Sequence, residues 1–424
     1  MLSVEELKRI IITQREEMDE FLNRERLIER EVDEKRLLKF LQYPNILAIL
    51  GVRRSGKSVL SWLLMRGKRF GYINFFDERL LGFSPEDFEK LVQAFHELYG
   101  DLDYFVFDEI QSVQGWERFL SRVRTSKRVI ITGSSSNLLS GELSTVLTGR
   151  YVSFELYPFS FKEFLEFRGI KLEKNWMYST KETAKVKKAL EEYIKVGGFP
   201  EALKFGRIYL QTIYRDIVEK DVLFRYKIRD IQALRELAKY LVSNFSKEIT
   251  YGKLKNLINI KDVHTVKNYV EYLERAYLIF QVRRFSFKLK SQMLSPRKVY
   301  AVDTGLINTV SFKFSENIGR LMENLVFLEL LRRRSYKFSD DEIYYWKDAK
   351  GEVDFVVKNK NKVTQLIQVT YELNKENFER EVASLLKASK ELKCKELLLI
   401  TWDQEDTTKE GVKIMPLWKW LLQP

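Results

Sequence analysis

Cysteine occurs once in the 424 residues, at Cys394, and histidine twice, at His96 and His264. A single cysteine excludes an intramolecular disulfide and suits a reducing, cytoplasmic setting. Two histidines and one cysteine argue against a zinc site and leave no Cys/His pair for nucleophilic catalysis. Proline is scarce at seven residues, and neither a repeat nor a low-complexity tract marks a flexible linker, so the domains are expected to pack closely. No apolar run approaches the roughly 18 residues that span a bilayer. The start, Met1-Leu2-Ser3-Val4-Glu5-Glu6-Leu7-Lys8, carries acids early and reads as a helix, unlike a signal peptide. No membrane partner is expected.

What is abundant is apolar residues, at 45%, and charge, at 31%. The length allows two to four compact units with real cores. The net charge is +13, from 73 Lys and Arg against 60 Asp and Glu. The excess is concentrated: residues 209–300 hold 19 basic against 9 acidic side chains. Such a segment attracts phosphate backbones, although a basic face can also be merely solvated.

One short stretch carries specific chemistry. Gly51-Val52-Arg53-Arg54-Ser55-Gly56-Lys57-Ser58 fits G-x-x-x-x-G-K-S, after the apolar run 46–50 and before Val59 and a helix-like string. In a strand–loop–helix context the loop N–H groups wrap phosphate oxygens, and the helix aims its positive end at the anion. The glycines permit the turn, Lys57 brings a point charge, and the Ser58 hydroxyl suits Mg²⁺. ATP with Mg²⁺ is therefore the expected ligand pair. Such a loop needs an acid at a neighbouring strand end. Tyr104-Phe105-Val106-Phe107-Asp108-Glu109 reads as a strand buried on both faces and ends in two acids. Asp108 suits Mg²⁺, and Glu109 suits the base that orients attacking water. Another strand, 128–133, ends in small polar residues, where Thr132 or Ser134 would sense the γ-phosphate.

The basic segment has its own pattern. A helix is expected over 231–245, a short one over 251–258 capped by Thr250, a longer one over 263–276, then a strand over 278–285. Three helices and a hairpin describe a winged helix-turn-helix, whose third helix enters the major groove of DNA. It would present His264, Thr265, Lys267 and Asn268, with Arg283 and Arg284 on the wing. Winged helices also make protein contacts, so a protein partner stays open.

These features together resemble the AAA+ ATPases. The narrower likeness is to an uncharacterised prokaryotic, often archaeal, group with a C-terminal PD-(D/E)xK-like domain of unknown function. Val106-Phe107-Asp108-Glu109-Ile110-Gln111, Leu156-Tyr157-Pro158-Phe159-Ser160-Phe161-Lys162-Glu163-Phe164 and Gly197-Gly198-Phe199-Pro200 carry it, and it spans about residues 35–420. Leu147-Thr148-Gly149-Arg150 matches the group's Leu-x-Gly-Arg, which makes Arg150 a candidate arginine finger, in its own subunit or across to the next. The second case requires a homo-oligomer.

The last third runs helix, hairpin, helix, strand, an order similar to the PD-(D/E)xK nucleases. The resemblance carries a helix acid onto Glu323 and a strand acid onto Asp354. A hairpin centred between residues 360 and 361 puts Asp354 opposite Ile367. Where active members have Glu-x-Lys, this sequence has Gln368-Val369-Thr370. Glu323, Asp354 and Gln368 would form a weaker second Mg²⁺ site, and a degenerate, non-cleaving domain is expected over an active nuclease.

The expected class is α/β: a P-loop AAA+ core with a parallel sheet and helical lid, a winged helix-turn-helix, and a nuclease-like α/β domain. The expected boundaries are a helical leader over 1–33, the ATPase core over 34–168, the lid over 169–230, the winged helix over 231–292 and the nuclease-like domain over 293–424. The expected function is an ATP-driven switch or motor on DNA. The alternatives are a signalling or scaffold ATPase that binds protein partners, and an ATP-gated nuclease.

Overall fold

Continuous apolar strings build the first sheet. Its strands are β1 (Ile46–Leu50), β2 (Phe70–Asn74), β3 (Tyr104–Asp108), β4 (Arg128–Gly133) and β5 (Tyr151–Glu155), in the order β2-β3-β4-β1-β5 and all parallel. All five β1 residues are buried, as a central parallel strand requires. The helices Asp87–Tyr99 and Trp116–Val123 meet through Phe88 and Phe119, stacked at 4.1 Å, with Phe107 of β3 beside them. The computed structural model describes residues 2–42, 44–139, 146–311 and 318–423, and among them no helix is long and apolar enough to cross a membrane. The chain divides into two units, residues 1–156 and 157–424.

The charged leader belongs to the first unit. Its helix, Val4–Arg24, opens with a capping box between Ser3 and Glu6 and buries Leu7, Ile10, Ile11, Gln14 and Met18. Gln14 joins the end of β2: its amide nitrogen donates to the Asn74 carbonyl at 3.1 Å, and its oxygen accepts from the Asn74 N–H at 2.8 Å. In register, Leu50 lies opposite Gly133, and Asn74 opposite Asp108. The carboxyl ends of β1, β3 and β4 therefore share one edge, where open α/β sheets bind ligands.

The second unit holds a nine-stranded mixed sheet. Its strands are β6 (Lys247–Ile249), β7 (Ile279–Arg284), β8 (Arg297–Ala301), β9 (Asp341–Lys347), β10 (Glu352–Asn359), β11 (Lys362–Val369), β12 (Leu397–Thr401), β13 (Asp406–Thr407) and β14 (Lys413–Pro416). They lie in the order β13-β14-β12-β11-β10-β9-β7-β8-β6. The helices Ile231–Ser243, Tyr251–Leu257 and Val263–Arg275 precede β7. β8 pairs antiparallel with both β6 and β7, and β7 runs parallel to β9. The sheet thus crosses residues 292/293, the boundary expected between the winged helix and the nuclease-like domain.

The hairpin register differs from expectation. Lys362 faces Asn359, as a turn at 360–361 demands, but a bulge at Thr364 of β11, opposite the step from Val357 to Lys358, shifts the rest, and Phe355 rather than Asp354 lies opposite Ile367. One extra residue on a bulged strand moves every later partner by one.

A buried polar joint explains two conspicuous sequence strings. Arg332, on the helix Ile318–Tyr336, donates to the Pro158 and Phe159 carbonyls, both at 3.2 Å, and to the Tyr193 hydroxyl at 3.3 Å, and pairs with Glu329. The Phe159 N–H donates to the Gly198 carbonyl at 2.7 Å. Asp303 accepts from the N–H groups of Gly198 at 2.7 Å and Leu306 at 2.9 Å. A Cβ on Gly197 would lie 2.0 Å from Asp303 Oδ1, so the double glycine lets backbone meet carboxylate.

Burial pushes the Asp303 carboxyl up from 3.8 to about 6, against the pull of those N–H groups. The folded chain therefore takes up this proton more readily than the unfolded chain, whose carboxyl titrates near 4. Stability from this group falls as pH rises from about 4 to 6 and is level above, by on the order of 3 kcal/mol in total. Asp303→Asn should flatten that part of the stability profile in urea unfolding at pH 4 to 7. An unchanged slope would contradict it.

Candidate functional site

The loop after β1 is shaped by positions that tolerate no side chain. Gly51 has φ 145°, and a Cβ there would lie 2.1 Å from the Leu156 carbonyl oxygen. Gly56, at φ 95°, caps the helix Lys57–Leu64 without any side-chain cap, which leaves the helix N–H groups facing the loop. Val52 is buried, Arg53 lies over the Phe76 ring, Arg54 is exposed, and Ser58 and Val59 are half-buried. Ser55 Oγ is buried and meets no hydrogen-bond partner among the described residues. The buried Lys57 ammonium donates to the Val52 carbonyl at 3.0 Å and lies 3.8 Å from Glu109 Oε1.

Asp108 ends β3 and is gripped on both oxygens. Oδ2 accepts from the Tyr72 hydroxyl at 2.9 Å, and Oδ1 accepts from the Thr132 hydroxyl. Burial first, and then the Asp108 charge, raise the Tyr72 phenol well above its usual range, so it stays a donor. The next residue, Glu109, takes a left-handed backbone at φ 52°. Its N–H donates to Thr132 Oγ1 at 3.0 Å, and its carboxylate accepts from Gln111. Thr132, expected to sense a phosphate, thus ties the two acids together with its hydroxyl; Ser134 is buried just beyond β4.

Arg150 is not brought to this loop. It is exposed, and its guanidinium donates to Ser121 Oγ at 2.8 Å and to the Val146 carbonyl at 3.0 Å. Its own carbonyl accepts from Ile46 N, at the start of β1. That is the opposite edge of the sheet, five strand residues or about 16 Å from the phosphate loop.

Two residues that join the site have no sequence motif. Arg30, in the segment after the leader helix, is buried and donates from Nη1 to the Ser55 carbonyl at 3.0 Å. Nothing in Glu29-Arg30-Glu31 distinguishes it from a solvated charge run. Tyr72 gave a faint signal: a tyrosine inside a buried strand needs a partner for its hydroxyl.

In the second unit the structure brings Glu323, Asp354 and Gln368 together, with a residue absent from the sequence reading between the acids. Lys298 Nζ lies 3.0 Å from Glu323 Oε1, 2.8 Å from Asp354 Oδ1 and 2.6 Å from Glu352 Oε1. The Tyr300 hydroxyl donates to Glu323 at 2.7 Å. Gln368 accepts from the Asp354 N–H at 3.1 Å and donates to Glu381 at 2.7 Å. Burial, and then the Asp354 charge, raise the Glu323 carboxyl. Among the described residues, no group of three or more His, Cys, Asp or Glu is arranged to hold a metal ion.

Along the basic segment, His264, Lys267, Asn268 and Arg283 are exposed. Thr265 spends its hydroxyl on the cap residue Asp262 at 3.0 Å, and Arg284 donates to the Lys347 carbonyl.

Three family models match in succession: an AAA domain over residues 43–165, a domain of unknown function (DUF8612) over 187–317 and another (DUF4143) over 318–420. The uncharacterized protein MJ1544 of Methanocaldococcus jannaschii is 39% identical, over 95% of this chain and 93% of its own length. An uncharacterized protein of Haemophilus influenzae is 31% identical, over 94% of this chain and 99% of its own. Among solved structures, the Walker-type ATPase PABY2304 of Pyrococcus abyssi matches 68% of this chain and 97% of its own, at 16% identity and a TM-score of 0.41. The Aeropyrum pernix ORC1 protein, solved in complex with DNA, matches 67% of this chain and 92% of its own, at 15% identity and a TM-score of 0.31.

Proposed function

The chain belongs to one family with MJ1544 and its Haemophilus influenzae relative, and from that premise we propose a Mg²⁺-dependent ATPase that works as a switch or motor on DNA. The carrying observation is Lys57 lying 3.8 Å from Glu109, which Thr132 ties to Asp108, beside a glycine loop that buries the unpartnered Ser55 hydroxyl. The loop and helix N–H groups bind phosphate oxygens, and Lys57 exchanges Val52 and Glu109 for phosphate charge. Mg²⁺, held by Ser58 and Asp108, would supply charge neutralisation on the outer phosphates. Tyr72 and Thr132 fix the Asp108 carboxylate, Glu109 accepts the proton of the attacking water, and Ser134 contacts the γ-phosphate. Arg150, facing away from its own loop, serves the nucleotide of a neighbouring subunit in a homo-oligomer.

Support for DNA comes from the second unit. Two helices flanking β6, a third helix, then β7, the short helix Leu289–Leu294 and β8, with β8 paired between β6 and β7, resemble the order of a winged helix. The third helix exposes His264, Lys267 and Asn268 within the segment that holds 19 basic against 9 acidic residues. One observation favours the second reading, a protein-binding ATPase. Between β7 and β8 the chain exposes Phe287, Leu289, Met293 and Leu294, each at least 63% accessible.

ATP hydrolysis measured with duplex, single-stranded and branched DNA, at several protein and salt concentrations, decides between them. Stimulation by one DNA form that fades steeply with salt is expected. Turnover per subunit should rise with protein concentration if Arg150 acts across subunits. Indifference to every DNA form would transfer the assignment to a protein partner.

A further inference from the structure

The acidic cluster of the second unit has the donor set of a hard-cation site and already contains a cation. Glu323 comes from the helix Ile318–Tyr336, while Glu352 and Asp354 come from β10. Their three oxygens lie 2.6 to 3.0 Å from one ammonium, Lys298 Nζ. A lysine ammonium has three donors and no acceptor, so three carboxylate oxygens use up its capacity. Lys298 is only 3% exposed, so its charge is not shared with water.

The rest of the cluster is partnered as well, with Glu352 at its half-buried rim. Asp354 Oδ2 accepts from the Val369 N–H at 3.0 Å, and Glu352 Oε2 pairs with Lys347 at 3.0 Å. Gln368, which stands where a third metal-binding carboxylate is expected, has its oxygen on the Asp354 N–H and its nitrogen on Glu381. A divalent ion would need oxygens at about 2.1 Å in an octahedral shell that keeps several waters. The ammonium takes that place with longer, tetrahedrally directed contacts.

We infer that Lys298 is the resident cation of this cluster, so that the C-terminal α/β fold holds itself together without a divalent metal and does not cleave phosphodiesters. Two buried carboxylates, Glu323 and Asp354, and the half-buried Glu352 repel one another at one point, and some positive charge must sit between them. β8 supplies it from outside the 318–420 family match, which fastens β8 to β10 at their side chains. Removing the ammonium then leaves three hard oxygen ligands around a vacant point, which a small divalent cation can fill.

The experiment is thermal unfolding of nucleotide-free protein titrated with Mn²⁺, for the wild type, Asp354→Asn, Lys298→Ala and the Lys298→Ala/Asp354→Asn double variant. The wild type should show no Mn²⁺ shift that depends on Asp354. Lys298→Ala should melt below the wild type and regain at least half of the loss with millimolar Mn²⁺, and the double variant should not regain it. A wild-type Mn²⁺ shift abolished by Asp354→Asn would overturn the inference, as would a folded Lys298→Ala protein blind to Mn²⁺. If Lys298→Ala does not fold, the wild-type comparison with Asp354→Asn decides alone. Mn²⁺-dependent DNA cleavage by the wild type, lost in Asp354→Asn, would also overturn it.

Discussion

Glu109→Gln should bind ATP at least as tightly as the wild type and turn it over roughly 10²–10⁴-fold more slowly. The two halves of this result have separate causes. Gln keeps the length and planarity of Glu but cannot take the proton of the attacking water. It also removes the negative charge 3.8 Å from Lys57 that competes with phosphate for that ammonium. Lys57→Ala should fail differently. Lys57 is the buried cation of the loop, whereas Arg53 is half-buried and Arg54 exposed, and without it the phosphates lose the charge that the backbone N–H groups only supplement. ATP binding is expected to disappear from calorimetric titration, and hydrolysis with it. Normal affinity in Lys57→Ala would remove the loop from the mechanism. Undiminished turnover in Glu109→Gln would leave the loop in place and take away the base.

Arg332→Ala should lower the unfolding free energy by roughly 3–5 kcal/mol, the range for breaking a buried ion pair by removing one partner. The guanidinium is 3% exposed and serves four acceptors: the carbonyls of Pro158 and Phe159, the Tyr193 oxygen and Glu329. Alanine leaves each with one contact fewer, and the buried Glu329 carboxylate keeps Arg333, at 3.0 Å, but loses Arg332. Arg332→Lys keeps the charge but not the planar fork, so it should recover only part of the loss. Denaturant unfolding of the three proteins measures this. A loss below about 1 kcal/mol in Arg332→Ala would mean that the joint is held by its aromatic and glycine packing alone.

Local strings were the legible part. The apolar run of β1, the glycine loop and the following helix lie within twenty consecutive residues, and each element has the period or punctuation its geometry requires. Asp108 and Glu109 were legible as the end of a buried run. Long-range partners were not. Arg30, Tyr72 and Lys298 reach their sites from strands or segments far along the chain, and a lone Arg or Lys in a charged sequence looks like solvated surface. The register of β10 and β11 was missed because the bulge, Thr364 of β11 opposite the Val357–Lys358 step, carries no glycine or other mark. Arg150 came from a family likeness in sequence; its position at the far edge of the sheet follows from strand direction, which only pairing reveals.

The continuous sheet of the second unit also bears on how such a gene can be cut. β7 ends at Arg284 and β8 begins at Arg297, hydrogen-bonded over five residue pairs, while β7 also touches β9 beyond the 317/318 seam between the two matched families. A fragment ending near 292 would leave β7 without β8, and one starting near 318 would lack the strand that fills its acidic cluster. Either would present unpaired backbone or bare charge to the solvent of the cell. The two families are therefore a single unit of inheritance in this chain: shuffling one without the other would transmit three or six strands of a nine-stranded sheet.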